Sequence, residues 1–130
     1  MKIDHIGIAT HKLDDALALW RDALGLQVDF TGEVNEQGVR VAMLPVGDTH
    51  VELLEPLSDS SPVGKFLEKR GPGIHHICFA VENLDDTLAR CRDKGVRLID
   101  DTPRIGAEGK RIAFLHPAST GGVLIELTED

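Results

Sequence analysis

Apolar and polar residues follow the same pattern twice along this chain. The segment Lys2–Ala9 alternates in the manner of a half-buried strand, and Leu13–Leu24 places apolar side chains at helical spacing. Laid without gaps over residues 74–93, residues 3–22 match at eleven of twenty positions. A match of this quality predicts an internal duplication, in which each copy begins with a strand and continues into a helix.

The remainder of each copy predicts three further strands, separated by turns and loops. The expected elements of the first copy are Lys2–Ala9, Leu13–Leu24, Leu26–Glu33, Val39–Leu44 and His50–Glu55, and those of the second are Ile74–Val81, Leu84–Lys94, Val96–Asp100, Arg111–His116 and Val123–Thr128. Residues 102–109 are expected to form a loop. Each copy is thus βαβββ, and we expect an α+β fold of two tandem modules whose curled mixed sheets form a cleft.

The two copies are expected to form a single domain joined by a short connector. Module one is assigned to residues 1–57, the connector to residues 58–72 and module two to residues 73–130. In the connector, Ser61 and Pro62 predict a helix start, with serine as the cap and proline at the first helical position.

The composition and net charge of the chain argue against some classes of function. With 42% hydrophobic and 28% charged residues, the chain is expected to be a soluble globular protein. No apolar run reaches the roughly 18 residues of a membrane helix, and no targeting segment precedes the first strand, so we expect a cytoplasmic protein without a membrane partner. A net charge of −8 argues against a nucleic-acid surface. Cys78 and Cys91 are expected to be reduced thiols.

The duplication places a histidine and a glutamate at equivalent positions in each copy. His5 corresponds to His76, rather than to the adjacent His75, and Glu52 corresponds to Glu126. Both glutamates stand between apolar residues, where an unpaired carboxylate would be costly to bury. Imidazole and carboxylate together suit divalent ions such as Zn, Co, Ni, Mn and Fe(II), so the four residues are metal-ligand candidates. The alternative is that the strands alternate and both glutamates merely face water.

Other polar residues give weaker signals. His116, before a proline at the end of a predicted strand, is a lesser candidate for the same site. A basic set could hold phosphate groups, although a solvated surface is the favoured interpretation; it comprises Lys65, Lys69, Arg70, Lys110 and Arg111.

At these residues the chain resembles the vicinal oxygen chelate superfamily, which is built from paired βαβββ modules around a divalent metal. Within it, the resemblance is to the methylmalonyl-CoA epimerase family. The stretches that carry it span nearly the whole chain: residues 4–9 (DHIGIA), 51–56 (VELLEP), 73–77 (GIHHI), 114–117 (FLHP) and 121–127 (GGVLIEL).

The resemblance implies a metal-dependent isomerase that acts on methylmalonyl-CoA. His5, Glu52, His76 and Glu126 would hold one divalent ion (Co, Zn, Mn, Ni or Mg), with two positions open for the thioester and carboxylate oxygens of the substrate. Glu126 would also move the proton on C2, through a metal-stabilised enolate. A homodimer and a role in propionate metabolism are implied as well.

Inversion at C2 needs proton delivery from the opposite face, and hence two acid or base groups or one mobile one. Some members of the family carry a glutamate on the third strand, two residues after the position of Val39, whereas this chain has Val41 there. Glu36 on the preceding loop, or a water held there, is a weak substitute.

Three other functions share this fold. A glyoxalase I-type lactoylglutathione lyase uses the same four-ligand arrangement and also shifts a proton next to a carbonyl. A non-catalytic module that sequesters a ligand can lack the metal, so the His/Glu quartet argues against it. Extradiol dioxygenases use two histidines and one glutamate, so the fourth candidate ligand argues against them.

Overall fold

The strands and helices repeat in the same order in the two halves of the chain. A computed structural model describes residues 1–130. The first half contains β1 (Lys2–Ala9), α1 (Leu13–Leu17), β2 (Phe30–Val34), β3 (Val39–Val46) and β4 (Thr49–Pro56), followed by the connector helix α2 (Pro62–Arg70). The second half contains β5 (Gly73–Val81), α3 (Leu84–Asp93), β6 (Arg104–Ile105), β7 (Arg111–Leu115) and β8 (Ile125–Glu129). No helix is long and apolar enough to cross a membrane.

Two compact units make up the chain. The first unit comprises His5–His75, and the second comprises Met1–Asp4 together with His76–Asp130. In the first unit, β3 pairs antiparallel with both β2 and β4, and β4 pairs parallel with β1. In the second unit, β7 pairs antiparallel with both β6 and β8, and β8 pairs parallel with β5. The expected α+β fold of two βαβββ modules with mixed sheets is therefore confirmed.

Each module buries one face of its sheet beneath its own helix. In module one the cluster against the helix contains Leu13, Leu17, Ala42, Leu44 and Leu53. In module two the corresponding cluster contains Val81, Leu84, Leu88, Ala113, Leu115 and Leu127. Because side chains alternate along a strand, the intervening residues of each strand point to the opposite face of the sheet. In each module we call that opposite face the ligand face, because the candidate metal ligands of that module lie on it.

One predicted strand is shorter than expected, and another is wrong. Residues 25–29 form no strand, so the expected Leu26–Glu33 is reduced to β2, and Val96–Asp100 contributes only an isolated bridge between Leu98 and Leu115. Leu26, Val28, Val96 and Leu98 nevertheless pack against the helix-side clusters. Irregular backbone can deliver apolar side chains to a core, so apolar spacing alone overstated the strands.

Other boundaries also differ from the prediction. The strand β6 lies inside the expected loop over residues 102–109. The predicted helix Leu13–Leu24 is α-helical only to Leu17 and continues as a π-helical turn, Ala18–Ala23, before Gly25 ends it with a positive φ of 81°. A π turn adds one residue to each hydrogen-bonded ring, which sequence spacing does not reveal.

A three-part polar contact, here called the clamp, occurs once in each module. In module one, Oε1 of Glu55 accepts a hydrogen bond from the backbone N–H of Leu13 (2.9 Å), and Oε2 accepts one from Arg40 (2.9 Å). In module two, Glu129 accepts from the backbone N–H of Leu84 (3.0 Å) and from Arg111 (3.1 Å). Each carboxylate thus satisfies a helix N-terminus and ties the last strand of its module to the adjacent strand.

We expect Glu129→Ala to lower the free energy of unfolding by about 1 kcal/mol, because an open N-terminal N–H of α3 loses its acceptor. Chemical denaturation of the variant and the parent protein measures the difference. Asp130→Ala is the matched control, since it removes an exposed carboxylate from the next position. Equal unfolding midpoints for the two variants would contradict a stabilising clamp.

Candidate metal centre

The first unit brings His5 and Glu52 together. His5 lies on β1 and Glu52 on the parallel neighbour β4, and each is only 5% exposed. Nε2 of His5 is 3.3 Å from Oε1 of Glu52. Since Val51 and Leu53 pack on the helix side, Glu52 points to the ligand face.

The second unit repeats this arrangement with His76 and Glu126. His76 lies on β5 and Glu126 on its parallel neighbour β8, and they are 4% and 5% exposed. Nε2 of His76 is 3.0 Å from Oε1 of Glu126. Both glutamates are therefore buried, so the alternative in which they merely face water is wrong.

The chemistry of each pair fits a divalent metal. A carboxylate withdrawn from water needs a compensating positive charge, and the adjacent imidazole offers a nitrogen donor directed at the same point. Nitrogen and oxygen donors of this kind suit borderline and hard divalent ions. The residues present in each module are thus compatible with metal ligation.

The ligand face around Glu52 is otherwise apolar. Met43 stands opposite Glu52 in the antiparallel register, and Val41 lies two residues away on the same side of β3. Val41 is 1% exposed, and Val39 and Leu54 are also buried. The ligand face of β3 beside Glu52 is therefore a packed hydrocarbon surface.

Within the first unit, Glu36 makes no contact with the His5–Glu52 pair. Glu36 lies exposed in the turn between β2 and β3 and makes no hydrogen bond or ion pair. The ring of His75 packs edge-on against Phe66 of the connector helix, with ring centroids 5.0 Å apart. His116 accepts a hydrogen bond from the backbone of Ala118 and caps a short 3₁₀ turn.

The residues of the predicted basic set divide between the two units. Lys65, Lys69 and Arg70 are exposed on α2, and Lys110 lies 3.9 Å from Asp4. Arg111 belongs to the clamp, and its hydrogen bond to Asp85 raises the pKa of its guanidinium above the usual value. Sequence reasoning missed a different cation, Arg104, which stands on the ligand face of module two. Its place on that face follows from the register of β6 with β7. The sequence did not indicate this register, because Arg104 lies in a segment expected to be a loop.

Comparison with known proteins supports a single family. A sequence profile of the Glyoxalase/Bleomycin resistance protein/Dioxygenase superfamily matches residues 4–114. The mitochondrial methylmalonyl-CoA epimerase of Mus musculus is 39% identical over 98% of this chain and 72% of its own length. The chain belongs to the methylmalonyl-CoA epimerase family. The predicted resemblance to this family, and to its superfamily, is thereby confirmed.

Two further proteins are similar to this chain over nearly its whole length. A variant of the Streptomyces coelicolor methylmalonyl-CoA epimerase, solved in complex with 2-nitronate-propionyl-CoA, superposes with a TM-score of 0.96. It is 46% identical, and the match covers 100% of this chain and 94% of that one. The uncharacterized protein YqjC of Bacillus subtilis is 47% identical over 98% of this chain and 91% of its own length.

Proposed function

We propose that this protein is a metal-dependent isomerase that interconverts (2R)- and (2S)-methylmalonyl-CoA. The observation that carries the proposal is the pair of buried imidazole–carboxylate contacts, at 3.3 and 3.0 Å, in equivalent positions of the two modules. The similarity to methylmalonyl-CoA epimerases over nearly the whole chain supports the substrate.

His5, Glu52, His76 and Glu126 are the proposed ligands of one divalent ion, drawn from Co, Zn, Mn, Ni or Mg. The equivalence of the two histidines and of the two glutamates supports a shared ion, because a duplicated module contributes one pair from each copy. When bound, such an ion supplies positive charge that lowers the energy of the enolate formed from the thioester.

Glu126 is the proposed group that removes and returns the proton on C2. Its carboxylate is held by His76 at 3.0 Å and stands in register with Phe114 and Cys78. These neighbours restrict the carboxylate to the ligand face, and a fixed carboxylate can transfer a proton without reorganising.

For the second proton transfer, Glu36 on the preceding turn, or a water held near it, is a weak candidate. Val39, Val41, Met43 and Leu54 surround Glu52 with hydrocarbon, so β3 offers no acid or base on this face. Exposed Glu36 is the nearest carboxylate in sequence to β3 on the preceding turn. Its exposure makes its contribution smaller than that of Glu126.

The test is deuterium uptake at C2 when metal-reconstituted protein acts on methylmalonyl-CoA in deuterated water. We expect uptake to accompany inversion, a loss of about a hundredfold or more in Glu126→Gln, and a smaller loss in Glu36→Gln. Nuclear magnetic resonance of C2 measures exchange, and a coupled assay with a stereospecific enzyme measures inversion.

The same preparation is tested against a glutathione hemithioacetal. Absence of uptake at C2 together with conversion of the hemithioacetal would replace the epimerase with the lyase. Absence of both reactions, with tight binding of an acyl-CoA, would favour a ligand-sequestering module.

We further propose that the enzyme is a homodimer that acts in propionate metabolism, as the family resemblance implies. A cytoplasmic location is proposed from the sequence alone. Light scattering of the purified protein tests the oligomeric state. A mass of one chain at micromolar concentration would contradict the dimer.

A further inference from the structure

Arg104 lies on the ligand face of module two. It stands on β6 opposite Ile112 of β7, and Ile112 shares a side of its strand with Phe114. The intervening Ala113 and Leu115 pack beneath α3, so Ile112 and Phe114 point the other way. Arg104 therefore shares a face with Phe114, the register partner of Glu126.

The surrounding residues hold the guanidinium in one orientation. Nε of Arg104 is buried and lies 3.3 Å from Oδ1 of Asp100, an ion pair without hydrogen-bond geometry. The other oxygen of Asp100 accepts a hydrogen bond from the backbone N–H of Phe114 at 2.8 Å. Cζ of Arg104 lies 5.3 Å from the centroid of the Phe114 ring, within range of a cation–π contact.

The Phe114 ring connects Arg104 to a candidate metal ligand. Its other neighbour is His76, whose ring meets it edge-on with centroids 5.9 Å apart. One aromatic ring therefore separates the guanidinium from the imidazole. A group bound at Arg104 is close enough to the His76–Glu126 pair to belong to the same ligand.

The two Nη atoms of Arg104 are also available as hydrogen-bond donors to a ligand. They donate no hydrogen bond within the protein, and the side chain is 35% exposed. Arg111, by contrast, is engaged by Asp85 and by Glu129. The shortest approach of Asp100 to the guanidinium is at Nε, so the two Nη groups remain available to a ligand.

Module one has no equivalent cation. Gly32 of β2 stands opposite Val41 of β3, and Arg104 of β6 stands opposite Ile112 of β7. Val41 and Ile112 are equivalent residues of the two modules, so Gly32 and Arg104 occupy corresponding positions. The Phe30 ring covers Gly32, since a Cβ there would lie 3.0 Å from its Cζ atom. The duplicated scaffold therefore carries an arginine on the ligand face at this position only in module two.

We propose that the Nη groups of Arg104 bind an anionic oxygen group of the acyl-CoA substrate. This inference rests on the proposed function and identifies a specificity residue for it. A planar guanidinium with two parallel N–H donors matches the paired oxygens of a carboxylate or a phosphate. The acyl carboxylate and the CoA phosphates are the two sources of that chemistry.

The test measures the affinity of Arg104→Met by calorimetry for methylmalonyl-CoA, methylmalonyl-pantetheine and free CoA. Methionine keeps the apolar stem over Phe114 but removes the charge, so binding of the recognised ligands should weaken by about 10- to 100-fold. Arg104→Lys should recover part of the loss. Arg90→Met, which removes an exposed charge from α3 on the other side of the sheet, should bind as the parent protein does.

The pattern of losses separates the two sources. A loss shared by methylmalonyl-CoA and methylmalonyl-pantetheine identifies the carboxylate, whereas a loss shared by methylmalonyl-CoA and free CoA identifies a phosphate. Unchanged affinity for all three ligands would overturn the inference. Arg104→Gln gives the same comparison if the methionine variant does not fold. Because binding is measured without turnover, a parent protein that binds these ligands but does not epimerise fails only the proposed function.

Discussion

Removing the divalent ion should lower the rate of proton exchange at C2 of methylmalonyl-CoA by roughly three orders of magnitude or more. Deprotonation of a thioester-activated carbon places negative charge on an oxygen, and without a cation that charge is unsupported. Glu52 and Glu126 cannot replace it, because their carboxylates carry the same sign of charge as the enolate. Solvent deuterium exchange before and after chelation measures the effect.

Adding back single metals is the control for this experiment. Restored exchange shows that chelation removed an ion and did not unfold the protein, and the order of restored rates ranks Co, Zn, Mn, Ni and Mg. A chelated sample that contains no ion and still exchanges at the full rate would exclude a metal-dependent reaction.

Replacement of the two adjacent histidines should have unequal effects. His76→Ala should lose the bound metal and the activity, because His76 is buried with its Nε2 3.0 Å from Glu126. His75→Ala should keep about one ion per chain and much of the activity, since the ring of His75 packs against Phe66. Metal analysis after dialysis measures the difference.

The histidine pair is its own matched control, since both variants remove an imidazole from neighbouring positions of β5. Circular dichroism and a melting curve establish that each variant is folded. Metal lost from His75→Ala and retained by His76→Ala would mean that the duplication has been aligned out of register.

The candidate ligands could be predicted because duplication is a property of the sequence. His5 and His76 occupy equivalent places in a repeated segment, and Glu52 and Glu126 follow at nearly the same offset. A single histidine on a strand would have been weak evidence for a metal ligand. The number and order of the strands followed from the same repeat.

Strand register could not be predicted, and the missed features depend on it. Arg104 and Gly32 correspond because each stands opposite an equivalent residue of the next strand, which no linear spacing reveals. The clamps were missed for the same reason, since Arg40 meets Glu55 only across β3 and β4. The overextended strands at Leu26 and Val96 show the limit of apolar spacing, because a core also accepts side chains from irregular backbone.

The presence of one clamp in each module indicates that the gene arose by duplication. Leu13, Arg40 and Glu55 form one clamp, Leu84, Arg111 and Glu129 form the other, and no residue is shared between them. Copying a gene that already encoded one such triple produces this outcome in a single event, whereas building the contact separately requires the same three residues to arise twice. The clamp therefore predates the duplication, and the duplicated segment already secured its helix to its sheet. Duplication then left each copy free to change at other positions. Arg104 in module two and Gly32 at the corresponding position of module one are one result of that change.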